Sequence, residues 1–422
     1  MLVLANSAEP AAMGLPTQGQ LLLPLLGLLD EQGPMRTKDA CDALAERMEI
    51  PADLRALRGP ECADGQKPLV LDRTIRWARQ NAVLGGLIDD SKRGEWRLTP
   101  EGRGTHRFAK PGVVVTVWQT DAGSVLWSEF RSAVQYIDQG SVTACFTSPP
   151  YPLVKNRSYT EGMRDWAPEN YLNTILDQIG LIKPLLAKDG SLILNLGPTF
   201  LPKPRRATEF QGNSRNPYMH QLISRLVENM GWSLVDEHYW FNPSKPRTSP
   251  QTTKFRSHCV NGMEEFFILS PTGATKCSNW RVLNPYTAAQ KSLIARGGEI
   301  ITESQPSKIQ SPGRRFHKDN GGSIPFNFHR VAPDRDTEYR QFCKANGYPE
   351  HAAMMPSKLC EFFIELTTER GDIVLDPFGG SLKTASSAFK LDRRFLITER
   401  CLNHIGGGLS RLPDYERLLA TG

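Results

Sequence analysis

No two of the eight cysteines, at 41, 62, 145, 259, 277, 343, 360 and 401, are spaced as Cys-x-x-Cys. That argues against a structural zinc cluster, and no metal is expected in the functional site. Cys145 and Cys360 fall inside apolar patterns, as buried free thiols do. Long apolar runs are also missing. Leu21 to Leu29 is too short to span a membrane and contains Pro24. No Lys or Arg precedes Arg36, so the basic region of a signal peptide is absent. These absences point to a reducing bacterial cytoplasm, with no membrane partner.

Acidic residues are scarce in two adjacent stretches. Between 201 and 260 there are nine Lys or Arg (203, 205, 206, 215, 225, 245, 247, 254, 256) against four acids. Between 271 and 330 there are nine (276, 281, 291, 296, 308, 314, 315, 318, 330) against three. The whole chain carries only +6, so this bias marks one polyanion-facing side rather than a generally basic protein. With 422 residues the chain exceeds one typical core, and two or three domains are expected.

The most informative stretch is Val142 to Pro152, Val-Thr-Ala-Cys-Phe-Thr-Ser-Pro-Pro-Tyr-Pro. Val142 to Phe146 reads as a buried parallel strand. Pro149 and Pro150 then fix φ twice, remove two backbone donors and force a rigid extended turn. Open α/β sheets place ligands at such strand ends. The Ser148 hydroxyl and the free carbonyls can take hydrogen bonds from an exocyclic amine, and Tyr151 can stack on a flat ring.

More than 200 residues later, Asp372 to Thr384 reads Asp-Ile-Val-Leu-Asp-Pro-Phe-Gly-Gly-Ser-Leu-Lys-Thr. A short strand ends at Asp376, Gly379-Gly380 allow a tight turn, and a helix runs from about Leu382 to Lys390. Together the two stretches resemble the S-adenosylmethionine-dependent DNA amino-methyltransferases. That family carries Asp/Asn/Ser-Pro-Pro-Tyr/Phe as catalytic motif and Asp-Pro-Phe-x-Gly-Ser-Gly as cofactor motif. The catalytic motif comes first here, as in the circularly permuted β group. The resemblance covers residues 109 to 422 and implies an α/β fold, a Rossmann-like methyltransferase sheet. It assigns catalysis to Ser148, Pro149, Pro150 and Tyr151. It assigns S-adenosyl-L-methionine to Asp121, the Met355-Pro356-Ser357 element, the Asp376-Pro377-Phe378-Gly379-Gly380-Ser381 turn and Glu399. Glu399 ends the strand from Arg394, where a carboxylate can accept both ribose hydroxyls. The family's third glycine is replaced by Leu382.

Taken in order, residues 1 to 14 are expected to be loose. From 15 to 108, three helical patterns precede a hairpin with a basic tip, Ser91-Lys92-Arg93-Gly94. Thr37 and Asp72 are the expected helix caps. This is a winged-helix plan, and Ile75-Arg76-Trp77-Ala78 with Gly94 to Thr99 resembles the N-terminal domain of Mrr-type restriction proteins. It would contact DNA or another protein. Residues 109 to 270 alternate strands and helices as the catalytic half. Residues 271 to 349 are rich in Gly, Pro, Ser and Arg and match the target-recognition region of the β group. Residues 350 to 422 form the cofactor half, with a helix at Pro356 and Gly371 as its expected cap.

The resemblance implies methyl transfer to an amine of a base flipped out of double-stranded DNA. No Pro-Cys dipeptide is present, so the covalent route of cytosine C5 methyltransferases is excluded. Ser at the first motif position favours cytosine N4. Adenine N6, an RNA substrate, and a winged-helix regulator with a degenerate catalytic domain stay open. So do a homodimer and a cognate restriction endonuclease as partners.

Overall fold

A computed structural model of the chain describes residues 8–61, 65–152, 170–200, 214–247, 250–297 and 318–413. The basic loop at 201–213, much of the loop after Pro152 and the Arg-rich part of 298–317 lie outside them.

The first unit packs helices Leu22–Gln32, Thr37–Arg47 and Val70–Leu84 on a small antiparallel sheet. Its strands are β1 (Met35–Arg36), β2 (Ile88–Asp89) and β3 (Glu95–Leu98), in the order β1-β3-β2. Two expected caps are not used as such. Thr37 is already helical, with Arg36 at the cap position, and Asp72 lies in the first turn of a helix capped at Leu69. Within the stretch expected to be loose, Ala8–Ala12 is a short helix with Pro10 buried, and residues 1–7 lie outside the described residues. The helix Leu22–Gln32 buries Leu22, Leu23, Leu25, Leu26, Leu28 and Leu29, which surround its axis. A helix apolar on all sides is enclosed on all sides.

It packs on the other two helices and β3, and the apolar cluster it belongs to continues into the main sheet. Nine strands are described there: β4 (Val114–Thr120), β5 (Gly123–Ser128), β6 (Val142–Thr147), β7 (Leu186–Leu196), β8 (Ser233–Phe241), β9 (Met263–Ser270), β10 (Phe328–Arg330), β11 (Ile373–Asp376) and β12 (Arg394–Glu399). Their order is β10-β8-β9-β7-β6-β11-β12-β5-β4. β7, β6, β11, β12 and β5 run parallel, β9 is antiparallel to both β7 and β8, and β4 folds back on β5. All six residues of β6 are buried, as a strand covered on both faces requires. One apolar cluster, with Phe146, Phe266 and Phe363, fills one face, and a second, with Tyr171, Ile175 and Leu222, fills the other.

The topology fixes where a ligand goes. From β6 the chain moves outward to β7, and from β11 it moves the other way to β12, so β6 and β11 flank a switch point. Their carboxyl ends, with that of β12, open on the same side. Ligands of open α/β sheets bind in that crevice.

Candidate active site

A cavity of about 1090 Å³ opens at these strand ends. Ser148, Pro149, Pro150 and Tyr151 all line it, as do Met355, Pro377, Phe378 and Glu399. The two motifs separated by more than 200 residues are joined by one side chain. Asp376 accepts from Thr147 Oγ1 at 2.7 Å, Thr384 Oγ1 at 2.6 Å and the Phe378 amide at 3.0 Å. Thr147 immediately precedes the Ser-Pro-Pro-Tyr turn, so Asp376 sets the spacing between that turn and the glycine turn. It is 4% exposed and does not itself line the cavity. Burial pushes its carboxyl up to about 6, against the lowering effect of its three donors, and the charge of Glu399 adds to the rise.

Glu399 is held by backbone donors on both oxygens: Gly380 N at 2.8 Å and Cys401 N at 2.7 Å. Each oxygen keeps a second lone pair for a ligand. Gly379 lies so close to β12 that a methyl there would come within 2.1 Å of Ile397 Cγ2. Gly380 and Leu382 both take left-handed backbone, with φ of +50° and +59°. The turn therefore keeps the backbone expected of a glycine at 382 although leucine occupies it. Ser381 is buried, and its carbonyl accepts from Arg411. Pro356 caps the helix Ser357–Thr367. Ser357 is turned into an ion cluster instead of the cavity. Its N and Oγ both donate to Asp334 at 2.8 Å, and Lys383 Nζ reaches Ser357 Oγ at 3.0 Å.

The structure does not bring Asp121 to the site. It lies in the turn between β4 and β5, beside Gly123, which pairs with Phe395 at the start of β12, whereas Glu399 pairs with Trp127 at the other end. The strand of this hairpin that reaches the cavity is β5, whose carboxyl end places Ser128, Glu129 and Phe130 in the cavity wall. Gly371 is not the cap of the helix before it, which ends at Thr367 with Thr368 as its cap.

Three residues beneath the catalytic turn were missed. Asn195 Oδ1 accepts from Ser148 Oγ at 3.0 Å and lies 2.7 Å from Tyr151 Oη. Glu264 Oε2 lies 2.9 Å from Tyr151 Oη, and Lys245 pairs with Glu264 Oε1 at 2.8 Å. An asparagine inside the apolar run Leu192 to Leu196 was the available signal. A buried amide in a strand needs partners. The Tyr151 ring lies on Gly197, where a methyl would come within 2.3 Å of Cε2. Burial, with the nearby Glu264 charge, holds the Tyr151 phenol well above its ordinary pKa.

Among the described residues, no group of three or more His, Cys, Asp or Glu could hold a metal ion, and no helix is long and apolar enough to cross a membrane. Comparison with known proteins agrees with the sheet. The Mrr N-terminal domain profile matches residues 19–107. The type II methyltransferase M.PvuII of Proteus hauseri is 27% identical over 299 residues, 70% of this chain and 85% of its own. The DNA adenine methyltransferase YhdJ of Escherichia coli is 21% identical over 303 residues, 72% of this chain and 87% of its own. The solved structure of the PvuII DNA methyltransferase (cytosine-N4-specific) superposes with a TM-score of 0.55 at 22% identity, covering 74% of this chain and 94% of that one, which shows the shared fold. The profile of the N6/N4 DNA methylases matches residues 142–405, from the first residue of β6 past the end of β12, and the chain belongs to that DNA methylase family.

Proposed function

We propose that this chain is a site-specific DNA methyltransferase that moves a methyl group from S-adenosyl-L-methionine to the exocyclic N4 of a cytosine flipped out of double-stranded DNA. The observation that carries it is the Thr147–Asp376 bond, which fixes a Ser-Pro-Pro-Tyr turn beside an Asp-Pro-Phe-Gly-Gly turn on one cavity. The residues fit that cofactor. Glu399 offers lone pairs for the ribose hydroxyls, Phe130 and Phe378 offer apolar surface for the adenine, and Met355 closes the methionine side. When bound, the cofactor supplies an electrophilic methyl group already activated by the sulfonium charge. The chain's part is to place the amine and keep its lone pair available. Asn195 holds the Ser148 proton, so the free lone pairs of Ser148 Oγ are available to an amine hydrogen. The Pro149 carbonyl takes the second hydrogen, and Tyr151 stacks on the base. The segment 271–349 would read the sequence, with Trp280 and Phe326 exposed on it. Such an enzyme works at the bacterial nucleoid, alone or as a homodimer, beside a restriction endonuclease of the same specificity.

The type of base is set by position 148, which is neutral. A carboxylate there would sit against the electron-rich N3 and O2 edge of cytosine, whereas serine places no charge beside it. Adenine N6 is the second reading, favoured by the similarity to the E. coli adenine enzyme. The test is incubation of the full chain with unmethylated genomic DNA and S-adenosylmethionine, then mass spectrometry of the digested nucleosides. N4-methylcytosine is expected. N6-methyladenine alone would transfer the assignment to the second reading.

A further inference from the structure

Three short oxygen contacts lie under the catalytic turn, and two hydroxyl protons are there to fill them. Ser148 Oγ is 3.0 Å from Asn195 Oδ1, and Tyr151 Oη is 2.7 Å from the same atom and 2.9 Å from Glu264 Oε2. An amide oxygen and an ionised carboxylate donate nothing. The amide orientation follows from Asn195 Nδ2, which donates to the Glu265 carbonyl at 3.3 Å and so turns the oxygen toward the hydroxyls. Lys245 Nζ lies 2.8 Å from Glu264 Oε1, the geometry of an ammonium–carboxylate pair. One contact therefore lacks a proton. A proton on Glu264 fills all three: Glu264 donates to Tyr151, and Tyr151 and Ser148 both donate to the two lone pairs of Asn195 Oδ1.

On the reading of this site as an amino-methyltransferase, we infer that Glu264 is the terminal acceptor of the proton that methylation releases from the amine. As the nitrogen gains the methyl group, one N–H bond breaks and leaves its electron pair on nitrogen. Ser148 Oγ takes that proton, and its own turns from Asn195 Oδ1 and passes to Tyr151 Oη, 3.4 Å away. Tyr151 passes its own to Glu264 Oε2. Each hydroxyl ends with one proton, as it began. The carboxylate goes from −1 to neutral, which balances the positive charge that arrived with the methyl group. The gap of 3.4 Å is longer than an ordinary O–H···O bond, and such contacts tighten when substrate fills a site. Glu264 and Lys245 both line the cavity, and Lys245 is about a third exposed, so the proton has a way out to solvent. Glu264 acts through Tyr151 and is a positioning and proton-accepting residue, not one that touches the base.

Glu264→Gln separates this role from a brace. Its amide N–H fills the third contact permanently, so the geometry stays while the vacancy for a proton is gone. The assay is tritium transfer from labelled S-adenosylmethionine to unmethylated genomic DNA by the full chain. Glu264→Gln should lower kcat by about 10²-fold or more, the usual scale for a lost general base. KM for cofactor and DNA should stay within about twofold. Glu264→Asp should recover a large part of kcat, because it restores an acceptor. Tyr151→Phe should match Glu264→Gln, and the double variant should be no worse than either. Unchanged kcat in Glu264→Gln, equal losses in the Gln and Asp variants, or additive losses in the double variant would each overturn the relay. A wild-type chain that transfers no methyl group overturns the methyltransferase reading together with it. An active wild type beside an unimpaired Glu264→Gln overturns the relay alone.

Discussion

Asp376 is the residue on which the two halves of the permuted chain meet, and its chemistry differs from that of a ligand-facing acid. Thr147, Thr384 and the Phe378 amide already occupy its oxygens. Asp376→Ala would leave those donors buried without a partner, so it is a poor probe of cofactor contact. Asp376→Asn is the cleaner variant. The carboxyl sits at about 6 in the fold, above its ordinary value near 3.8, because burial penalises the charge. A raised carboxyl favours folding below about pH 4 and loses that contribution as pH rises through about 6. The wild type should therefore lose about 3 kcal/mol relative to Asp376→Asn between pH 4 and pH 7. Thermal unfolding of both proteins across that range checks it. Parallel curves would mean that Asp376 titrates normally. The sequence showed an acid at a strand end before a glycine turn. It did not show which atoms would reach it, because Thr147 lies 229 positions away and only the parallel pairing of β6 with β11 brings it close.

At the scale of the element, the turn after β11 was legible and its departure from the family pattern was open to misreading. Leu382 takes φ +59° and is fully buried. The backbone region that favours glycine is thus kept at a cost of roughly 1–2 kcal/mol, and packing offsets it. A methyl on Gly408 would come within 2.6 Å of Leu382 Cγ. Two substitutions separate strain from packing. Leu382→Ala loses the buried side chain and keeps the strain, for about 2–5 kcal/mol. Leu382→Gly loses the same packing and relieves the strain, so it should be the less damaging by roughly 1 kcal/mol. In an ordinary helix glycine is the worse of the two. Denaturant unfolding ranks them, and alanine no worse than glycine would show that the left-handed turn is not held. The strand beside this turn was harder to read. β4 and β5 are the two strands of a tight hairpin, and in the sequence they form one apolar run interrupted at Asp121. Asp121 therefore looked like a strand-end acid when it is a hairpin turn on the far side of the sheet.

At the scale of the whole molecule, the sequence divides off a winged helix and the structure shows one apolar core running through it and the main sheet. A division at residue 109 implies that the residues after it fold without the rest. Apolar spacing reports that a helix face is buried, not what buries it, and Leu22–Gln32 is buried against both bodies. Leu15 to Leu29 belong to the same apolar cluster as Trp118, Trp127, Leu402 and Leu412. Gly19 lies against β4, where a methyl would come within 1.7 Å of the Thr116 carbonyl oxygen, so the exposed edge of the large sheet is covered. The connector is stitched to the end of β12 and to β5: Ala109 N donates to Arg400 O at 2.7 Å, Leu402 N to Arg107 O at 2.9 Å, and Trp127 Nε1 to Arg107 O at 3.2 Å. Arg400 stacks over Phe108 at 4.5 Å, and Phe108 itself lines the cavity beside Glu399. The wing is less cationic than its sequence, since Lys92 and Arg97 both pair with Glu95 at 2.7 Å. Deleting residues 1–108 should therefore do more than weaken DNA binding. It strips cover from Trp118, Trp127 and Leu402 and removes Phe108 from the cavity wall beside Glu399. The truncated chain should aggregate or, where it stays in solution, bind S-adenosylmethionine at least tenfold more weakly by calorimetry than the full chain. A soluble truncation with full cofactor affinity would show that the shared core is dispensable and that the first unit is a separate module after all.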